Sequence, residues 1–309
     1  MKLLLVGDMH LRIKAPQRRT DDDFMETCLG KLRQVYQIAY DHDCMDIIQV
    51  GDFFDRPDPS KKLLAAVIKQ MIGDATRFFT IHGQHDMAYH TEASMESSAL
   101  RVLEAAGVLQ VVENRPTFNA GELLLVGASF GQRPPTLSLI DLPNPDQFRG
   151  AFKVLVAHTM VGDKPLWPGQ DLPSPRAYAK AHPGYDLYVL GDYHYDFETW
   201  VGKRAVINPG CLIRKTAAER DHKPKVMVFD TEAREAEDVY LDVAPASDVF
   251  DLDGLGDDKP ANVFDGLTDR LKKMGSVGVS FAENLNAYFD AEKTPERIRK
   301  LIWQELEKE

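Results

Sequence analysis

Five short apolar runs in this chain of 309 residues each break off into the same kind of polar chemistry. They are LLLVGDMH at 3–10, DIIQVGDFFD at 46–55, FFTIHGQHD at 78–86, VLVAHTMV at 154–161 and LYVLGDYH at 187–194. A strand that is apolar along its whole length must be covered on both faces, since an alternating pattern would betray a face left to water. The polar residues follow at the carboxyl ends, where sheets of this kind gather functional loops. The pattern therefore predicts covered sheets with a site along one edge, and no internal repeat competes with that reading.

Helical spacing separates the first three runs. Phe24, Cys28, Leu32, Val35 and Ala39 recur behind the acidic start Asp21-Asp22-Asp23, and Leu63, Val67 and Met71 recur behind Ser60, a residue suited to an N-cap. After residue 105 short strand-like segments dominate: VLQVVE, ELLLVGASF, KVLVAH, LYVLGD, RAVINPG, PKVMVFD and DVYLDV. Consecutive strands of this kind imply a second sheet packed on the first. The expected fold is α/β, two packed β-sheets flanked by helices, over residues 1–245, with the hairpin Lys225–Val243 closing the core. Residues 246–309 read as a small helical tail. Its amphipathic segments are Val263/Leu267/Leu271/Met274 and Ile298/Leu301/Ile302/Leu306, the second capped by Thr294 with Pro295 at the first helical position. The Pro-rich stretch between Thr159 and Pro183, which contains Trp167, reads as a long functional loop. Trp167 fits base stacking and packing on its own domain equally well.

Several classes are disfavoured by composition. No run is long enough to span a membrane, and Leu3–Val6 is too short for a signal-peptide core. Three cysteines, Cys28, Cys44 and Cys211, show neither paired nor zinc-like spacing, so a cytoplasmic protein without a disulfide framework is expected. A net charge of −11 weighs against binding nucleic acid, which depends on lysine and arginine displacing counterions. Its distribution softens that objection. Residues 245–309 hold nine lysines and arginines against fourteen aspartates and glutamates, while Arg12, Lys14, Arg18 and Arg19 form a basic group just after the first run.

Collected together, the run ends supply Asp8 and His10, Asp52, Gln84 and His85, His158, and Asp192 and His194. All are metal-ligand types or hydrogen-bond partners of such ligands. Residues two apart on extended backbone point the same way, so Asp8 with His10, and Asp192 with His194, can each present two groups to one site. One Asp-x-His pair is far more readily a solvated turn than a metal site, but five run ends of this chemistry in order are a different matter. The ordered set GDMH, GDFFD, GQHD, AHT and GDYH resembles the motif series of the calcineurin-like metallophosphoesterases. Within that superfamily it is most similar to the nuclease subunit of double-strand-break repair, the SbcD type of bacteria and phages. GDFFDRPDPS and INPGCLIR carry the narrower likeness, which covers roughly residues 1–245.

What the resemblance implies is specific. One divalent metal would be held by Asp8, His10, Asp52 and His194, and a second by Asp52, Gln84, His158 and Asp192, with Asp52 bridging. Such a pair, about 3.5–4 Å apart, polarises a phosphoryl oxygen and acidifies a water. His85 would act beside the phosphate as the catalytic group, with Asp86 a candidate to hold its imidazole. Two positions depart from the family pattern. Gln84 stands where asparagine is usual, and Asp192 stands where the first histidine of G-H-x-H is usual. Both changes fall on the second metal and make it richer in oxygen, which favours Mn²⁺, with Mg²⁺ as the alternative. His82 and His90 read as neighbours, and Cys211 as a packed residue in a position where the family has serine.

The implied activity is Mn-dependent exonuclease and single-strand endonuclease action on DNA. The implied partners are an SMC-like ABC ATPase of the SbcC type and a second copy of the chain, with Arg12, Lys14, Arg18 and Arg19 on the phosphate backbone. A small-molecule phosphodiesterase or phosphatase needs the same metals and fits the acidic charge better. A non-catalytic interaction scaffold on the same fold is the third reading. Its argument is the two substitutions, and the retained His85 and first-metal ligands oppose it.

Overall fold

The computed structural model describes residues 1–119, 122–137, 150–166 and 170–252, together with Phe289, Asp290, Glu296 and Arg299. The chain divides into two units, Met1–Leu252 and Asp253–Glu309. The predicted tail helices and Trp167 lie outside the described residues.

The first sheet is built from β1 (Lys2–Val6), β2 (Asp46–Gln49), β3 (Arg77–Thr80) and β4 (Gln110–Val111), all mutually parallel. The second holds β5 (Thr117–Asn119), β6 (Leu123–Ala128), β7 (Phe152–His158), β8 (Leu187–Gly191), β9 (Phe197–Val201) and β10 (Arg204–Asn208). Here β6, β7, β8 and β10 run parallel, with antiparallel β5 and β9 at the two edges. The antiparallel hairpin β11 (Lys225–Asp230) and β12 (Glu235–Tyr240) returns to the first sheet beside β1, giving the order β12-β11-β1-β2-β3-β4. As expected, these are two sheets flanked by helices.

Alternation along the strands explains why the runs are apolar throughout. Leu3 and Leu5 of β1 face the second sheet and pack in the same layer as Val154, Val156, Leu187 and Val189. Leu4 and Val6, one residue out of phase, face α1 (Phe24–Asp41), α2 (Lys61–Met71) and α3 (Ala99–Ala105) on the outer side. The second sheet is covered on its far side by α4 (Pro175–Ala181), through Tyr178 and Ala179. The central strands β1, β2, β6, β7 and β8 thus have two dry faces, while the edge strands β9 and β12 are partly exposed.

The helix starts follow from their caps. Asp23 precedes α1 and accepts a hydrogen bond from the Glu26 amide, and Ser60 accepts one from Leu63 at the start of α2. Helix α4 corrects the reading of residues 159–183 as one long loop. Ser174 caps it and Pro175 occupies its first turn, so the prolines that suggested a loop include a helix-start signal. Among the described residues, no helix is long and apolar enough to cross a membrane.

Candidate metal centre

Parallel strands bring their carboxyl ends to one edge, and the residues beyond β1, β2, β3, β7 and β8 meet there. The turns are tied by backbone hydrogen bonds: the amides of Met9 and His10 donate to the Asp52 carbonyl, at 3.1 and 2.8 Å, and Cys211 donates to the His194 carbonyl at 3.2 Å. His10, Asp52 and Asp192 all take positive φ, at 46°, 51° and 75°. Non-glycine residues accept that conformation only where the surroundings impose it, and such positions gather at functional sites.

Asp52 sits at the centre. Its Oδ2 lies 3.6 Å from His158 Nε2, 3.8 Å from His10 Nε2 and 3.9 Å from His85 Nε2, too far for hydrogen bonds in each case. Its Oδ1 accepts the His85 amide at 2.8 Å. His194 Nε2 is 3.4 Å from Asp8 Oδ2 and 3.3 Å from His10 Nε2. The ligand atoms fall into compact sets, Asp8–His10–His194, Asp8–Asp52–His158 and His10–Asp52–His85, with all atoms of a set within 4.8 Å of one another. Eight buried side-chain polar atoms lack a hydrogen-bond partner among the described residues. Five of them belong to this cluster: Asp8 Oδ1, His10 Nδ1, Asp52 Oδ2, Gln84 Oε1 and His158 Nε2. Buried polar atoms are rarely left so, and this donor set of carboxylate, imidazole and amide oxygen fits divalent cations.

Electrostatics tell the same story. Burial pushes Asp8 up to about 6 despite the opposing pull of His158. Burial also disfavours the His158 imidazolium, but Asp52, then Asp8 and Asp192, outweigh this and raise the ring to about 10. Burial acts against an ionised Asp52 too, yet His158, His10 and His85 hold that carboxyl well below its usual range. The packed carboxylates here draw positive charge from the imidazoles. His158 is oriented by its Nδ1, which donates to the Val50 carbonyl at 2.6 Å and leaves Nε2 facing Asp52.

His85 is the most accessible ring of the cluster, with its side chain 38% exposed. Its Nδ1 meets the Asp55 carbonyl at 3.1 Å. Asp86 does not hold this ring, contrary to expectation. Its carboxylate accepts the amides of Gly83, Phe53 and Phe54 at 3.0, 3.3 and 3.0 Å, sewing the β3 turn to the β2 turn. Gly83 is required by that seam, because a Cβ there would stand 2.1 Å from Asp52 Oδ1.

The two departures from the family pattern touch one another. Gln84 Nε2 donates to Asp192 Oδ1 at 2.8 Å, and Gln84 Oε1 is left without a partner. Asp192 joins none of these Asp/His sets among the described residues, but its amide donates to Asp8 Oδ2 at 3.2 Å and its charge acts on Asp8 and His158.

Of the basic group, Arg12 pairs with Asp55 at 2.8 Å, Lys14 is exposed, and Arg18 bonds the Asp251 carbonyl at 3.3 Å. Arg19 corrects the sequence reading. Its side chain is 4% exposed, grips Asp21 with two nitrogens at 2.6 and 2.7 Å, and lies over the rings of Phe24 and Phe250. This guanidinium is already paired inside the fold. Sequence reasoning missed Asp55, Lys215 and Glu219. Lys215 Nζ lies 4.0 Å from Asp55 Oδ1, and Glu219 Oε1 lies 3.9 Å from His194 Nδ1. The second aspartate of GDFFD was the available signal for Asp55.

His82 is buried and its Nε2 meets Ser98 Oγ at 2.8 Å. Burial, then Arg101, lowers its pKa to about 4. Unfolding returns the ring to a pKa near 6.5, so the unfolded chain binds the extra proton between those values. Stability from neutral His82 is full above about 6.5 and is lost as pH falls toward 4. Wild type is expected to lose on the order of 3 kcal/mol more than His82→Gln over that interval. Thermal melts of both proteins across the pH range measure it, and parallel curves would remove His82 from the account.

The sequence profile of the calcineurin-like phosphoesterases matches residues 1–196. No curated protein matches the chain. Among solved structures, an archaeal phosphodiesterase is 14% identical with a TM-score of 0.42, over 78% of this chain and 100% of that one. A hypothetical protein from Pyrococcus horikoshii OT3 is 12% identical with a TM-score of 0.45, over 97% and 96%. A dimetal phosphatase from Danio rerio is 12% identical with a TM-score of 0.46, over 74% and 91%. With well over half its length matched by the family profile, and with the Asp/His cluster at the strand ends, the chain belongs to the calcineurin-like phosphoesterase family.

Proposed function

We propose that the chain is a Mn²⁺-dependent phosphodiesterase acting on DNA, an exonuclease and single-strand endonuclease of the double-strand-break-processing kind. The carrying observation is the cluster of Asp8, His10, Asp52, His158 and His194 ligand atoms at the strand ends, in which Asp8 Oδ1, Asp52 Oδ2 and His158 Nε2 are buried without a hydrogen-bond partner among the described residues. Asp8, His10, Asp52 and His194 would hold one divalent cation, and Asp52, His158 and Gln84 a second, with Asp192 as further ligand or as the group that orients the amide. When bound, two such cations supply Lewis-acid charge to a phosphoryl group and acidify water. His85, with Nδ1 on the Asp55 carbonyl, presents Nε2 toward the same space and exchanges a proton with the leaving oxygen there. DNA as substrate is supported by the likeness of GDFFDRPDPS and INPGCLIR to the nuclease branch. The same likeness supports a homodimer working with an SMC-like ABC ATPase of the SbcC type.

A second reading, hydrolysis of a small phosphodiester, is favoured by one observation. Arg19 is engaged inside the fold and Arg12 is paired with Asp55, which thins the basic surface expected for a DNA backbone. End-labelled linear DNA and bis(p-nitrophenyl) phosphate, each with Mn²⁺, separate the two. Shortening of DNA is expected, and turnover of the small diester with intact DNA would select the second reading. His85→Ala is expected to lower turnover by roughly 10²–10³-fold on whichever substrate is cleaved. Wild-type rates in that variant would end the catalytic role of His85.

A further inference from the structure

A cavity of about 260 Å³, whose lining includes none of the clustered ligands, opens between α1, the segment 212–214 and the chain that follows β12. Two cations line it from within. Lys31, from α1, is 7% exposed, and Arg214, from the INPGCLIR stretch, is 6% exposed. Groups this buried normally meet a carboxylate, because an unpaired charge is costly to remove from water. Neither does so among the described residues. Lys31 Nζ donates to the Asp242 carbonyl, and Arg214 donates to the carbonyls of Arg220 and Ala244, at 3.0 and 2.5 Å.

A lysine ammonium has three N–H groups and a guanidinium five, so both side chains keep donors in reserve after these carbonyls are served. The wall also holds Arg19, Asp21 and Asp242. Asp21 is engaged by Arg19, and the Asp242 residue is exposed. Three cations against two carboxylates leave the wall positive, in a chain whose total charge is −11. Burial, then the Arg214 charge, lowers Lys31 to about 8, with Asp242 acting the other way.

We propose that this cavity binds a small dianion of the orthophosphate type, held between the Lys31 ammonium and the Arg214 guanidinium. Its volume falls just below the roughly 300 Å³ at which drug-sized pockets begin, which suits an inorganic oxyanion or the phosphate of one nucleotide rather than a polymer. No candidate metal ligand lines the cavity, and the proposal does not rest on a bound metal.

The test uses the full chain in EDTA, with inorganic phosphate and a nucleoside 5′-monophosphate as separate probes, read by thermal shift and calorimetry. Phosphate at tens of millimolar is expected to raise the wild-type Tm by about 3 °C. Lys31→Met, whose side chain is apolar and of similar length, should melt higher than wild type without phosphate and lose the phosphate increment, with affinity down at least about tenfold. Arg12→Ala, altered beside the metal centre instead, should keep the increment. Lys31→Gln provides a second variant should the methionine protein fold poorly. A wild-type increment with the nucleotide but not with phosphate supports the site with an organic ligand, provided Lys31→Met abolishes it. No increment with either probe, or an increment retained in both Lys31 variants, overturns the proposal.

Discussion

Asn in place of Asp52 is expected to lower phosphodiester hydrolysis by roughly 10³-fold or more and to weaken divalent-cation binding with it. The reason lies in the two oxygens of one side chain. Oδ1 accepts the His85 amide at 2.8 Å, and Oδ2 faces His158, His10 and His85. An asparagine that keeps its carbonyl on the His85 amide turns an NH₂ group toward the cluster, where an acceptor is needed. The flipped amide sets N–H against N–H. Neither orientation restores the negative charge that all three rings face. Fold stability should suffer less than activity. Asp52 is the largest of the charges that raise His158, ahead of Asp8 and Asp192, so the ring gives up its proton more easily when that carboxylate is gone, which limits the cost of an orphaned imidazolium. A cost of about 1–3 kcal/mol is expected from the unsatisfied polar groups that remain. Mn²⁺ titration by calorimetry, a diester assay and a thermal melt read the three effects separately. A variant with wild-type turnover and a normal metal isotherm would displace Asp52 from the centre of the site.

The strand ends were legible from sequence because their signal is local. An apolar run followed by Gly-Asp or Ala-His declares both a doubly covered strand and the turn at its end, and parallel pairing then brings the turns to one edge. The Ser60 cap and the acidic start that contains the Asp23 cap were legible for the same reason. What escaped were decisions made by contacts distant in sequence. Arg19 looked like one of four surface cations, until Phe250, far along the chain, closed over it and Asp21 took its fork. Asp86 adjoins His85 in sequence, but the 3-10 turn Gln84–Asp86 points its carboxylate back at the amides of Gly83, Phe53 and Phe54. Gln84 and Asp192 were each legible as departures, and only the fold shows the amide of one on the carboxylate of the other. That contact changes what the pair can mean. A lengthened amide would wander unless something held its nitrogen, and a carboxylate across the site does so while leaving the oxygen free. The two substitutions are better read as one compensated change than as two losses.

Gly7→Ala is expected to abolish folding or to cost more than about 4 kcal/mol, the largest stability effect of any single methyl group added to the described glycines. A Cβ on Gly7 would stand 1.5 Å from the Gly210 carbonyl oxygen and 2.7 Å from its carbon, both of them backbone atoms. Such atoms can yield only if the chain yields, and both sides are pinned. Gly210 has a φ of +81°, and its amide donates to Asn208 Oδ1 at 2.8 Å. The next residues lock onto the site itself, Cys211 through the His194 carbonyl and Leu212 through the Asp8 carbonyl, at 3.2 and 2.9 Å. Relieving the clash therefore means separating the turn that carries Asp8 from the turn that carries His194. A typical domain has about 5–15 kcal/mol in total to lose, so the remainder would be small. Gly30 supplies the control. It lies inside α1, the nearest atom to its added Cβ is the end of the Arg33 side chain at 3.5 Å, and Gly30→Ala should stabilise by about 0.5–1 kcal/mol through helix propensity. Soluble yield and thermal melts of the two variants decide the matter. If Gly7→Ala were recovered at wild-type yield and melted within a few degrees of the parent, the close crossing of the Gly7 and Gly210 backbones would be wrong, and with it the account of how Asp8 and His194 are brought together.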